Sequence, residues 1–240
     1  MRAIRSLLLQ SDVFRTKCIA SLLDYSVIQC MKQHSSSAIV LTQCIRLMGT
    51  LVFGSDAIRL RAGDAGFMQL LVAAMELHSD DEVLVLHSFT AITNLTHNSI
   101  ENRIRFSQSG GVDLVVALLD RHLEDAKVQK QGCWAVLTLA GEDAMSLEMM
   151  ERGIPAAVAN AMVRHSSDAA VQHFAGLAFS NMAEAGADVR RKLRVAGVPE
   201  VRTPFTISII IQSFEMSIFT APQDGARNVS VGPKRSTGGW

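Results

Sequence analysis

The sequence predicts an all-α solenoid of three to four three-helix units, followed by an irregular C-terminal tail. Three observations carry this reading. The first is composition: hydrophobic residues make up 48% of the 240-residue chain and charged residues 19%, against about 25% charged in an average globular protein. With 10 Phe, 2 Trp and 1 Tyr, the apolar material is mainly Leu, Val, Ile, Ala and Met, which suits helices better than a sandwich of strands. The second is a recurring turn: Ala65-Gly66-Phe67, Gly110-Gly111-Val112, Arg152-Gly153-Ile154 and Ala196-Gly197-Val198. The glycines at 66, 111, 153 and 197 stand at steps of 45, 42 and 44. The third is an independent marker, Thr50-Leu51, Asn94-Leu95, Thr138-Leu139 and Asn181-Met182, at steps of 44, 44 and 43. Two markers holding one period indicate a tandem array.

Each unit reads as a short charged helix, a small-residue turn, an apolar helix, a polar break and a longer helix. After each turn the apolar residues fall at the helical period: Phe67, Leu70, Leu71, Ala74, Met75 in one unit and Ile154, Ala157, Val158, Ala161, Met162 in another. Pro155 stands where a helix tolerates the ring, because the first N–H groups have no intrahelical partner. The breaks His78-Ser79-Asp80-Asp81 and His165-Ser166-Ser167-Asp168 offer side-chain oxygens to cap the following helix. The long helices are expected over roughly 82–95, 126–140 and 168–183. His78, His122 and His165 recur at the end of the second helix, where a histidine can bond terminal carbonyls.

The domain plan is therefore a helical cap or degenerate repeat over 1–34, the repeat array over 35–202, and a non-repeat tail over 203–240. In the last unit Pro204 falls inside the expected second helix, where proline costs about 3 kcal/mol. The β-branched stretch beyond it does not fit the array, and the Gly/Ser/Pro-rich end after Pro222 is expected to be partly disordered. A solenoid needs polar caps. An array broken here leaves an apolar end for the tail to cover or for self-association with another chain.

The segments 109–119 (SGGVDLVVALL), 131–140 (QGCWAVLTLA) and 176–183 (GLAFSNMA) resemble armadillo repeats. HEAT repeats, which have two helices and usually lack the short first one, are the close alternative. The armadillo resemblance implies a right-handed solenoid whose third helices line a concave groove. In relatives of the importin-α and β-catenin type, an Asn near the end of the third helix binds the backbone of an extended peptide, and in importin-α a Trp four residues earlier packs beside a basic side chain. By position, Asn94 and Asn181 match the Asn, Trp134 matches the Trp, and Thr138 stands where an Asn would follow it. No unit holds both halves of a nuclear-signal site. The candidate partner-binding residues are Asn94, Thr138, Asn181, Trp134, Thr90, Lys130, Gln131 and His87. Each also has a structural reading: the Asn residues as bonds to neighbouring helices, Trp134 as core filler, Lys127 and Lys130 as a solvated face or a preference for acidic peptides. Three ladder positions span roughly 20 Å, or about six extended residues, so a groove this short binds weakly without side-chain pockets, a longer array or multivalency.

Other chemistry is not expected. Lys+Arg and Asp+Glu both total 23, which gives no global pull toward nucleic acid. Cys18, Cys30, Cys44 and Cys133 form no C-x-x-C pair, and the seven histidines form no zinc-spaced cluster. Glycine loops and nucleophile motifs of known enzyme classes are absent. The expectation is a non-enzyme with no catalytic or metal site and no cofactor. No apolar run reaches the roughly 18 residues that span a bilayer, and the location expected is cytoplasmic or nuclear. The function expected is a scaffold binding a protein or extended peptide along the concave face. The alternatives are a nuclear transport adaptor of importin-α type and a fragment of a larger armadillo-containing kinase or signalling protein.

Overall fold

The computed structural model describes residue 17, residues 22–141 and residues 143–195. The fourth turn at 196–198, the proline break at Pro204 and the tail over 203–240 lie outside the described residues, as does most of the N-terminal segment. Among the described residues there are twelve helices and no strand. In chain order they are α1 (Leu23–Gln33), α2 (Ala38–Val52), α3 (Asp56–Asp64), α4 (Phe67–Leu77), α5 (Glu82–Thr96), α6 (Ile100–Gln108), α7 (Gly111–Arg121), α8 (Ala126–Leu139), α9 (Asp143–Glu151), α10 (Ile154–Arg164), α11 (Ala169–Glu184) and α12 (Ala187–Val195). Three complete units are present: α3–α5, α6–α8 and α9–α11. Before them stand the last two helices of another unit, α1 and α2, and after them the first helix of the next, α12.

The chain punctuates itself at homologous positions. Ser37, Asp81, Asp125 and Asp168 cap the four long helices, each side-chain oxygen accepting from backbone N–H groups of the first turn. Ser55 and Ser99 cap two of the short first helices in the same way. The turn before each second helix is left-handed at Leu22, Gly66, Gly110 and Gly153, with φ of 55°, 85°, 79° and 89°. The turn glycine of the second complete unit is thus Gly110, not Gly111. This one-residue correction brings the steps to 44, 44 and 43 and extends the frame to α1. Gly111 serves a different purpose: a Cβ there would lie 2.5 Å from the Phe106 ring, so only glycine lets α7 start so close to α6.

Stacking ties the units together. The third helices form one layer, α2 against α5, α5 against α8 and α8 against α11, and the second helices pack beside it, with α4 near α7 and α7 near α10. Phe67, Phe89, Phe106 and Phe179 are fully buried, each contributing about 1.5–3 kcal/mol by leaving water. A Cβ on Gly132 would come within 2.5 Å of Leu119 and 3.2 Å of Phe89. The repeat histidines are the C-caps of α4, α7 and α10. Their rings do not bond their own helices. Nε2 reaches the carbonyl of Ser35, Ser79 or Leu123 in the preceding unit, at 3.4, 2.7 and 2.7 Å, and so carries the proton in each bond. Gln129 donates to the Leu119 and His122 carbonyls, and Gln172 repeats this with Met162 and His165. Ion pairs also run from unit to unit: Arg61 with Asp24, Arg105 with Asp64, Arg121 with Asp80, Arg152 with Asp113 and Arg164 with Glu124. Most are exposed and contribute little singly. Arg61 is the exception in geometry, bonding both oxygens of the buried Asp24 carboxylate at 2.6 and 2.9 Å.

Candidate functional site

The third-helix layer presents one side chain per turn along each of α2, α5, α8 and α11. Residues 87, 90, 94 and 97 of α5 and its C-cap follow the helical face, and the same register continues on α8 at 131, 134, 138 and 141. Asn94 and Asn181 lie in this face, half-buried. The Asn94 Nδ2 donates to the Gly49 carbonyl at 3.0 Å, and the Asn181 Nδ2 donates to the Leu137 carbonyl at 2.8 Å. Each bond crosses to the preceding third helix. The structural reading of the two Asn residues holds: one N–H of each carboxamide is used inside the array. The main chain at Asn94 is held as well, its carbonyl accepting from Arg59 Nε at 2.8 Å.

Thr138 departs from the expectation. It is buried, its hydroxyl donates to the Ala135 carbonyl at 2.9 Å, and it accepts from the Thr96 hydroxyl at 3.2 Å. Its side chain is too short to reach the open face from that register, so it seals the α5–α8 contact instead. Thr90 is half-buried and donates to the Leu86 carbonyl at 3.1 Å. His87 and Lys130 are half-buried, and Gln131 is only 6% exposed. The Gln131 Nε2 is buried without a hydrogen-bond partner. Trp134 is half-buried rather than core filler, and its ring stacks on Phe174 of α11 with centroids 4.8 Å apart and planes 17° off parallel. His173 meets the edge of the same Phe at 5.3 Å. Phe174 was not among the sequence candidates. Its signal was present, since it stands 43 residues after Gln131, but nothing local showed that it would meet a tryptophan.

The third helices carry few charges. Helices α2, α5, α8 and α11 contain three cations, Arg46, Lys127 and Lys130, and two carboxylates, Glu82 and Glu184. The aspartates that precede three of them accept backbone bonds as caps. His97 at the end of α5 is held below the usual histidine range by burial, with Arg59 and Arg103 adding repulsion. Among the described residues no group of three His, Cys, Asp or Glu is placed to hold a metal ion, and no helix is long and apolar enough to cross a membrane.

No protein-family model and no curated protein matches the chain. Solved structures do. An engineered protein matches with a TM-score of 0.74 at 20% identity, covering 83% of this chain and 80% of its own. A designed armadillo repeat protein in complex with the peptide (KR)4 matches with a TM-score of 0.72 at 18% identity, covering 90% of each. A second designed armadillo repeat protein gives a TM-score of 0.72 at 18% identity, covering 82% of this chain and 80% of its own. The fold is the armadillo repeat. At these identities the likeness is one of architecture, and it identifies α3, α6 and α9 as the short first helices of armadillo units and α2, α5, α8 and α11 as the third helices. It also decides between the two repeat types left open by the sequence, because a HEAT unit has no place for α3, α6 and α9.

Proposed function

We propose that this armadillo array is a non-enzymatic scaffold that binds an extended segment of a partner protein along the third-helix groove. The observation that carries the reading is the pair Asn94 and Asn181. Each carboxamide is fixed by one bond to the preceding helix and keeps an acceptor and a donor for a visiting main chain. Backbone recognition of this kind accepts many sequences, which suits a scaffold. Free thiols at Cys30, Cys44 and Cys133 support a reducing compartment, the cytoplasm or the nucleus. The basic peptide (KR)4 bound by one designed relative makes a transport-adaptor role the natural alternative, and the two lysines on the face of α8 that carries Trp134 speak against it.

Selection from a displayed library of random octapeptides tests the groove. The wild-type chain is expected to select peptides, and an Asn94→Ala, Asn181→Ala double variant is expected to bind them at least about tenfold more weakly, from two to four lost bonds of about 0.5–1.5 kcal/mol each. Equal binding by wild type and double variant refutes the groove.

A further inference from the structure

We infer that the groove is built for an acidic segment, and that one of its carboxylate side chains is held by Lys130 and Gln131 on α8 beside the Trp134–Phe174 stack. The inference rests on the groove reading above and names the chemistry of the partner.

Lys127, Lys130, Gln131 and Trp134 stand at i, i+3, i+4 and i+7 of α8, one face of one helix. Gln131 is the unusual member. Its amide nitrogen is buried and has no partner, and buried polar groups in folded proteins are as a rule hydrogen-bonded. A bound acceptor would remove that deficit once the amide turns toward it. The two lysines beside it bring positive charge to the same face. Neither has an ion pair among the described residues, whereas Arg61, Arg105, Arg121, Arg152 and Arg164 are each neutralised by a carboxylate of a neighbouring unit. These five arginines are paired across units, and Lys127 and Lys130 are open to a visiting anion.

A carboxylate meets every one of these needs. It accepts hydrogen bonds only, so it suits both an amide N–H and an ammonium, and charge-assisted bonds are the stronger kind. The aromatic stack offers a flat apolar surface to the methylene stem that carries it, which favours Glu over Asp. A neutral amide side chain satisfies Gln131 and leaves the lysines unpaired. A basic side chain brings like charge to both lysines.

The test uses the same octapeptide selection, followed by fluorescence anisotropy on the best peptide and its Glu→Gln counterparts. Wild type is expected to select peptides enriched in Glu and Asp, and one Glu→Gln exchange is expected to weaken binding about tenfold. In Lys130→Ala and in Gln131→Leu the same exchange is expected to cost less than about threefold. Gln131→Leu fills the buried site with an apolar group of similar size. Lys130→Ala alters only a half-exposed side chain and carries the test if the first variant fails to fold. Selected peptides that are basic or show no charge preference, but still depend on Asn94 and Asn181, overturn the acidic assignment and leave the groove standing. An exchange cost unchanged in Lys130→Ala overturns it as well. A library that yields no binder removes both readings together.

Discussion

Replacing Asn102 by alanine is expected to be among the most damaging single changes in the array. Asn102 is fully buried in α6. Its Nδ2 donates to the Arg59 carbonyl of the preceding unit and to the Leu95 carbonyl at the end of α5, both at 2.9 Å. Its Oδ1 accepts from Arg105 Nη1 at 3.0 Å. One side chain thus joins three helices across two units. Two donated bonds at about 0.5–1.5 kcal/mol each, together with about 1–3 kcal/mol for buried groups left short of a partner, give a loss of about 3 kcal/mol. For a chain of this size that lowers Tm by about 6–12 °C, at roughly 2–4 °C per kcal/mol. In the next unit Met145 aligns with Asn102, and the buried polar side chain beside it is Ser146, whose hydroxyl makes one bond of 3.2 Å to the Ala140 carbonyl. Ser146→Ala is therefore expected to cost only about 1 kcal/mol. Urea and thermal unfolding of both variants by circular dichroism give the comparison. A loss below about 1 kcal/mol for Asn102→Ala, or equal losses for the two, refutes the assignment of this side chain as a cross-unit tie.

Two further outcomes follow from titrating groups that burial shifts. His97 has its folded pKa depressed below the ordinary 6.5 by burial and by Arg59 and Arg103, so the unfolded chain takes up the proton first as pH falls. Its contribution is complete above about pH 6.5 and is lost below it, with a slope of at most about 1.4 kcal/mol per pH unit. Stability measured between pH 5 and 7 is expected to be flatter in His97→Gln than in wild type, and an unchanged slope argues against a half-buried ring held neutral. Burial pushes the Cys133 thiol up to about 12, so the folded chain keeps this proton when the unfolded chain, with an ordinary value of 9.0, has lost it. That contribution is present below about pH 9 and declines as pH rises toward 12. In the native state at pH 8, Cys133 is expected to resist a thiol reagent while the partly exposed Cys30 reacts, and equal rates by mass spectrometry contradict the burial.

Much of the fold is legible in the sequence because a repeat writes the same local instruction several times. Capping aspartates, turn glycines and apolar spacing act within a few residues, so the long helices near 82–96, 126–139 and 169–184 are readable from one chain. Local signals do not resolve everything. Gly110 and Gly111 are adjacent, and only the left-handed φ of the first and the ring of Phe106 against the second separate their roles. The repeat histidines advertise a helix end, yet their bonds go to a turn more than 40 residues away.

The candidate site divides along the same line. Periodicity in the sequence alone determined that a stack of three-helix units would form and which helix face would hold Asn94, Trp134 and Asn181. Only the packing of one third helix on the next decided that Thr138 is sealed inside, that Trp134 lies on Phe174, and that Gln131 is buried with an unpaired nitrogen. The physical reason is reach. A helix face is set by residues three and four apart, whereas exposure and pairing on that face are set by neighbours about 43 residues away, whose side-chain sizes vary from unit to unit while the period does not.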